Sequence, residues 1–308
     1  MAATADGLEA RVLALLGERG PLSGMELGDA LGGDPFSLWK ACLLSERLAL
    51  RRVGKRYLRL DHNVEGYARL SPSILREFLT YTVVGVVEKR AALEDRAAEV
   101  AGHIARVTAA KLQLARNVVE AVSSSAAGSG EDEERFFVLL GGDIVYEMAH
   151  DVPRPERSTG KMVRGSDVDL VVVLDDSAPP ELAKAIDDAI YQQKYRHLIN
   201  PSVREEIDYI VKPFARLREQ AQFDDFKKMV ACKILQEGVL LSGSPRLFAQ
   251  AKALLDEHGV TQKLTALEAS AATTRDLAEA QLLSLDQDRL AGDHLYLFYT
   301  TEESEEFE

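Results

Sequence analysis

The chain has 308 residues and a formal net charge of −13 at neutral pH, which argues against wholesale coating of nucleic acid while leaving room for a local basic patch. That length favours two or three domains and can bury about three quarters of the unfolded surface. Two cysteines, Cys42 and Cys232, are too few for a disulfide framework or a zinc site, which points to a reduced, cytoplasmic compartment. Residues 1–6 show no basic region followed by an apolar stretch, so no signal peptide is expected. No apolar run approaches the roughly 20 residues of a membrane span, so no membrane partner is expected either.

Residues 7–18 place Leu8, Val12, Leu13, Leu15 and Leu16 at helical spacing. A second helix is predicted from Met25 to Leu31, ended by Gly32-Gly33. Asp34 caps a third, with Pro35 at its first position, running to about Leu48. Alternation from Leu48 to Leu60 predicts two short strands in a hairpin around Val53-Gly54-Lys55. Three helices followed by a hairpin resemble a winged helix-turn-helix, here over residues 1–65. The resemblance implies that the third helix enters the major groove and that the wing touches phosphate. Arg51, Arg52, Lys55 and Arg56, with Arg59 beside them, are the wing residues that would do so. The third helix offers only Ser37, Lys40 and Arg47 as polar readers, while Trp39, Leu43 and Leu44 read as core. Winged helices also serve as docking or dimerisation modules.

Residues 66–130 read as a helical connector. Ser71-Pro72 is expected to open a helix through Ile74, Phe78, Tyr81 and Val84. From Val83 to about Val122, valines and leucines recur at near-helical spacing with two glycines and no proline. Such a long helix is either a spacer that pairs two copies into a homodimer or a buried helix of one compact fold. Ser123–Gly130 has linker composition, and the acidic run Glu131–Glu134 needs no role beyond solvation.

Phe136–Leu140 reads as a buried strand entering Gly141-Gly142, with Ile144, Val145 and Met148 on a following helix. Strand, small residues and helix aim backbone N–H groups at phosphate. The segment 143–166 is a long polar loop; Arg157, Lys161 or Arg164 could reach a triphosphate from it, though a solvated excursion is the simpler reading. Gly165-Ser166-Asp167-Val168-Asp169 then leads an apolar, β-branched run. A strand's period of two projects both carboxylates from one face, where they repel unless a cation lies between them. Mg²⁺, or Mn²⁺, is the natural occupant of an all-oxygen site. Asp175 and Asp176 end the strand as turn or cap residues, and Pro179-Pro180 opens a helix through Ile186, Ile190 and Tyr195. A short strand, Glu205–Val211, carries Asp208 among apolar residues, and a carboxylate there needs a partner. Glu206 is its rival, two residues earlier on the same face.

Taken together, Leu140-Gly141-Gly142, Gly165-Ser166-Asp167-x-Asp169 and Asp208 resemble the nucleotidyltransferase superfamily that includes DNA polymerase beta. The resemblance covers about residues 135–245, within a core domain placed at 131–245. Glycine replaces the usual serine at 142, and the segment before Ser166 is longer than the family's spacer. What the resemblance implies is a nucleoside triphosphate held at Gly141, Gly142 and Ser166. Asp167 and Asp169 would hold two metal ions, with Asp208 completing one of them and deprotonating the attacking hydroxyl.

The rest is mostly helical: Phe226–Gln236, Arg246–His258 and Lys263–Leu290, with Gly238–Gly243 as an added edge strand. Lys227, Lys228 and Lys233 read as a solvated face. Residues 246–308 form a helical C-terminal region with an acidic tail. The expected fold is thus α+β: a small mixed sheet with helices, preceded by a winged helix domain and a long helix, followed by helices. The expected function is transfer of a nucleoside monophosphate to an unidentified hydroxyl acceptor. The alternative is a winged-helix nucleic-acid-binding regulator or adaptor whose transferase-like domain only binds nucleotide.

Overall fold

The computed structural model describes residues 5–126, 132, 134–156, 159–285 and 295–299. Arg157, half of the expected linker and acidic run, and the acidic tail lie outside the described residues. The chain is mixed α+β with small sheets. It divides into two compact units, one of Met1–Arg59, Arg69–Ile104 and Ser270–Glu308, the other of Leu60–Ala68 and Ala105–Ala269. Among the described residues no helix is long and apolar enough to cross a membrane.

The first unit opens with α1 (Ala5–Arg19), β1 (Leu22–Ser23), α2 (Gly24–Leu31) and α3 (Pro35–Leu44). Ser23 and Glu26 form a reciprocal capping box, and the Asp34 carboxylate accepts from the Ser37 amide at the start of α3. Ser45 closes α3 before Arg47, which therefore leaves the helix it was expected to serve. Val12, Leu16, Leu27, Phe36, Trp39, Ile74 and Phe78 pack into one core, whereas Leu44 is exposed, against expectation.

The expected hairpin does not form. Strand β2 (Leu48–Arg52) pairs with β5 (Thr82–Val86), while β3 (Tyr57–Leu60) pairs with β4 (Ala68–Ser71). In the three-stranded sheet β5 lies between β1 and β2, antiparallel to both. The reason is burial on two sides: Val84 enters the helical core, and Val83 packs against Leu93 and Ala97. A strand buried on both faces removes more apolar surface from water than an exposed wing would. The same strand corrects the predicted helix at Val83–Val86, where the local periodicity was ambiguous. Helix α4 (Ile74–Tyr81) takes Ser73 as N-cap, its hydroxyl accepting from the Arg76 amide, so Ser71-Pro72 precedes the helix.

The long helix is α5 (Arg90–Ala126). Its apolar positions are consumed by its own chain: Leu93 and Ala97 pack in the first unit, and Ala115, Val118, Val119 and Val122 in the core of the second. The helix thus contributes buried positions to each of the two units.

The second unit is built on a four-stranded sheet. Its strands are β6 (Phe136–Leu140), β9 (Val168–Leu174), β10 (Ile207–Pro213) and β11 (Val239–Gly243), in the order β10-β9-β6-β11. Helix α6 (Pro180–Ile199) joins β9 to β10, which run parallel; the other pairings are antiparallel. The added edge strand is present as expected. Alternation divides the sheet. Val168, Leu170, Val172 and Leu174 enter a core with Ile186 and Ile190 of α6. The opposite face carries Asp169, Val171 and Val173, and with α7 (Phe214–Gln220) and α8 (Phe226–Glu237) it lines a cavity. The 143–166 insertion is partly ordered as a ribbon of β7 (Pro153–Pro155) and β8 (Met162–Arg164). Helices α9 (Pro245–Glu257) and α10 (Val260–Ser284) follow β11, and a short turn of helix, α11 (Leu295–Phe298), comes last. Lys252 of α9 donates to the Gln236 and Gly238 carbonyls at the C-terminal end of α8.

Candidate metal centre

Asp167 directly precedes β9 and Asp169 lies two residues on, so the pleat sends both to one face. Parallel pairing sets Asp208 opposite Asp169. Each of the three offers a carboxylate oxygen, and these oxygens all lie within 4.8 Å of one another. All three side chains are half-buried. Asp208 was expected in a mostly buried strand; instead β10 is the sheet's edge, and its side chain is 49 % exposed. Glu206 is the buried carboxylate, at 5 %.

The glycines fit tightly around Asp169. The Gly141 amide donates to the Asp169 carbonyl at 3.0 Å. Gly142 has φ +71°, and a Cβ there would lie 2.1 Å from Asp169 Oδ2. Glycine at 142 thus does what serine could not: it lets the carboxylate lie against the turn. The Gly142 amide, however, donates to Glu237 Oε1 at 3.1 Å. Glu237 also accepts from the Tyr146 hydroxyl and from Lys233. Lys233 is buried within this group, not on the solvated face expected for it.

Ser166 serves the backbone around the site. Its hydroxyl donates to Asp143 at 2.9 Å and accepts from the His150 amide, and its own amide donates to the His150 carbonyl. The helix expected at Ile144–Met148 is a run of turns, with Glu147 at φ +61°. Ile144, Met148 and Ala149 are all buried, and the chain turns there to set His150 against Ser166, whose hydroxyl and amide both bond its backbone. No helix N-terminus is therefore aimed at phosphate from this segment.

Two cations meet the carboxylates. Arg154, from β7, sets Nη1 2.8 Å from Glu206 and Nη2 3.6 Å from Asp167, and donates from Nε to the Gly165 carbonyl. Lys194 of α6 donates to Asp208 at 2.7 Å. Burial raises the Glu206 carboxyl above its ordinary range, and Asp167 and Asp208 add to this against the opposing charge of Arg154. Arg154 was not among the residues expected from the loop: Lys161 and Arg164 are exposed. The signal available was the ribbon itself, since period-two alternation turns Arg154 inward between two prolines. Arg154 meets Glu206 and Asp167, and Lys194 meets Asp208; a divalent cation would add positive charge where Asp167, Asp169 and Asp208 converge. An all-carboxylate donor set fits a hard cation such as Mg²⁺ or Mn²⁺.

No family model, curated protein or solved structure matches this chain. The functional reading therefore rests on the geometry of these residues.

Three arginines of the expected wing are engaged within the first unit. Arg51 pairs with Glu94 at 3.0 Å, and Arg52 with Glu279 and Glu77. Arg56 reaches Glu77 and Glu279, each at 2.6 Å. Arg275, itself buried, also pairs with Glu77. Burial would raise the Glu77 carboxyl, but the Arg56 hydrogen bond and the charges of Arg275, Arg56 and Arg52 hold it below the ordinary range. Lys55 lies exposed on the turn that follows β2. Of the proposed phosphate contacts, Arg51, Arg52 and Arg56 thus already have carboxylate partners.

Proposed function

We propose that this chain is a metal-dependent nucleotidyltransferase, moving a nucleoside monophosphate from a triphosphate to a hydroxyl acceptor. The observation that carries the reading is the convergence of Asp167, Asp169 and Asp208 from two register-paired parallel strands, beside the Gly141-Gly142 turn. A divalent cation in that cluster would offset the charge of the triphosphate. The remaining work falls to the chain. Asp208 accepts the proton of the acceptor hydroxyl as its oxygen bonds to the α-phosphorus. The bond from the α-phosphorus to the α,β-bridging oxygen breaks, and pyrophosphate leaves. Lys194 must release Asp208 for this to happen, and at the half-exposed edge strand that exchange costs little desolvation. Arg154 holds Glu206 and Asp167 in place while the site is empty of substrate.

The regulator alternative rests on a basic wing, and the engagement of Arg51, Arg52 and Arg56 by acids removes most of its support. The test is transfer of label from each α-labelled triphosphate into cell-extract fractions, with wild type and Asp167→Asn. Label carried by wild type alone supports transfer; label carried by neither with every triphosphate rejects it.

A further inference from the structure

The face of the sheet that carries the carboxylates continues into a cavity of about 330 Å³. Val171 and Val173 form its floor after Asp169, and Ile210 and Lys212 continue from Asp208. Ile234 of α8 bounds it beside Gly141, where a Cβ would lie 3.2 Å from the isoleucine methyl. Its walls are mostly apolar, and among the described residues no carboxylate lines it. Its polar groups are Gln220 and three cations: Lys212, Arg216 and Lys227.

Lys212 is the feature that needs explaining. It is 6 % exposed, and its ammonium donates to Gln220 Oε1 at 2.8 Å. Among the described residues no carboxylate pairs with it. A buried ammonium without a counter-ion is costly, and here it faces a space of the size that small ligands occupy. It lies four positions beyond Asp208 on the same strand face, about 13 Å away.

We propose that this cavity binds a small organic carboxylate with a slender apolar body, its anionic end at Lys212 and its other end directed along the sheet towards Asp208. Lys212 is the one buried cation of the three, Lys227 being exposed and Arg216 half-exposed and paired with Glu219, so it matches a single negative charge, and the apolar walls match the body. Resting on the transfer reading above, this molecule is the hydroxyl acceptor, a small metabolite and not the end of a nucleic acid.

The test is calorimetric titration of the full chain with para-hydroxyphenylpropanoate and, separately, with its uncharged amide. A charge-assisted contact should favour the acid by about tenfold or more in wild type. Lys212→Met should erase that preference and Lys212→Arg restore it. Equal affinity for acid and amide in wild type, or no binding of either, overturns the proposal whatever the variants do. Saturating Mg²⁺ and nucleoside triphosphate should leave the acid's affinity unchanged; competition would assign the cavity to the nucleotide and overturn the acceptor role. If the acid is preferred without competition but no triphosphate yields transfer, the transfer reading fails while the carboxylate site stands.

Discussion

Asp208 stands opposite Asp169 across the parallel pairing of β9 and β10, and a slip of one residue would turn one of the two carboxylates to the other face of the sheet. Ile207, buried in the core on that other face, holds the register. Asp208→Asn should leave the fold intact because its side chain is half exposed. In the labelled-transfer assay it should lower the rate by about 10²–10⁴. Glu206→Gln should keep most of the rate. An active Asp208→Asn beside a dead Glu206→Gln would move the base to Glu206.

Metal binding should appear as stability. At a hundredfold excess over its dissociation constant, Mg²⁺ should add about 2.7 kcal/mol to the unfolding free energy. Thermal melts titrated with Mg²⁺ should show this in wild type and lose most of it in Asp167→Asn. Equal shifts in both would place the metal elsewhere.

Arg154→Met removes the cation from a buried pair and leaves Glu206 uncompensated. Breaking such a pair costs about 3–5 kcal/mol, to be read from denaturant unfolding without metal. Adding Glu206→Gln to the same chain should recover part of the loss, since the stranded charge is then gone. No recovery would mean that Arg154 acts through packing or through its bond to Gly165.

Gly142→Ala would place a methyl against Asp169 Oδ2 at a positive-φ position. About 1–3 kcal/mol of backbone strain is expected, together with displacement of the carboxylate. The Mg²⁺-dependent shift in melting temperature should shrink, whereas Gly141→Ala, with an ordinary φ and Ile234 as the nearest atom at 3.2 Å, should be milder. Identical effects would remove the special role of Gly142.

Glu77 links the first unit's chemistry to pH. Its carboxyl lies below the ordinary range in the folded chain, so its contribution is present above that range and lost as pH falls through the folded value. Acid unfolding of Glu77→Gln should therefore be less steep, from a starting stability lower by about 3–5 kcal/mol because Arg56 and buried Arg275 lose their partner. An unchanged acid profile would mean that other carboxylates govern it. Lys212 runs the other way: burial pushes its ammonium down to about 8. Its charge is present below that pH, so affinity for the carboxylate probe should fall by roughly tenfold per unit above it. A flat profile to pH 10 would show that the charge is not what binds.

The acidic cluster was legible in the sequence because its determinants are local. Asp167-x-Asp169 ahead of a β-branched run requires a shared strand face, and Asp208 among apolar residues required a partner. Helix caps at Ser23 and Asp34 were written the same way, in side chains that bond amides three residues on. Pairing between distant segments was not legible. Residues Thr82–Val86 suit a helix or a strand equally by periodicity, and only burial on two faces between β1 and β2 made them a central strand. The same holds for charge: Arg56 looked free for phosphate until Glu77 and Glu279, 21 and 223 residues away in sequence, closed on it. Arg154 and Lys212 were silent for the converse reason. What a long cation faces depends on which distant groups fold against it, and that is fixed only when the sheet, the ribbon and α8 have packed.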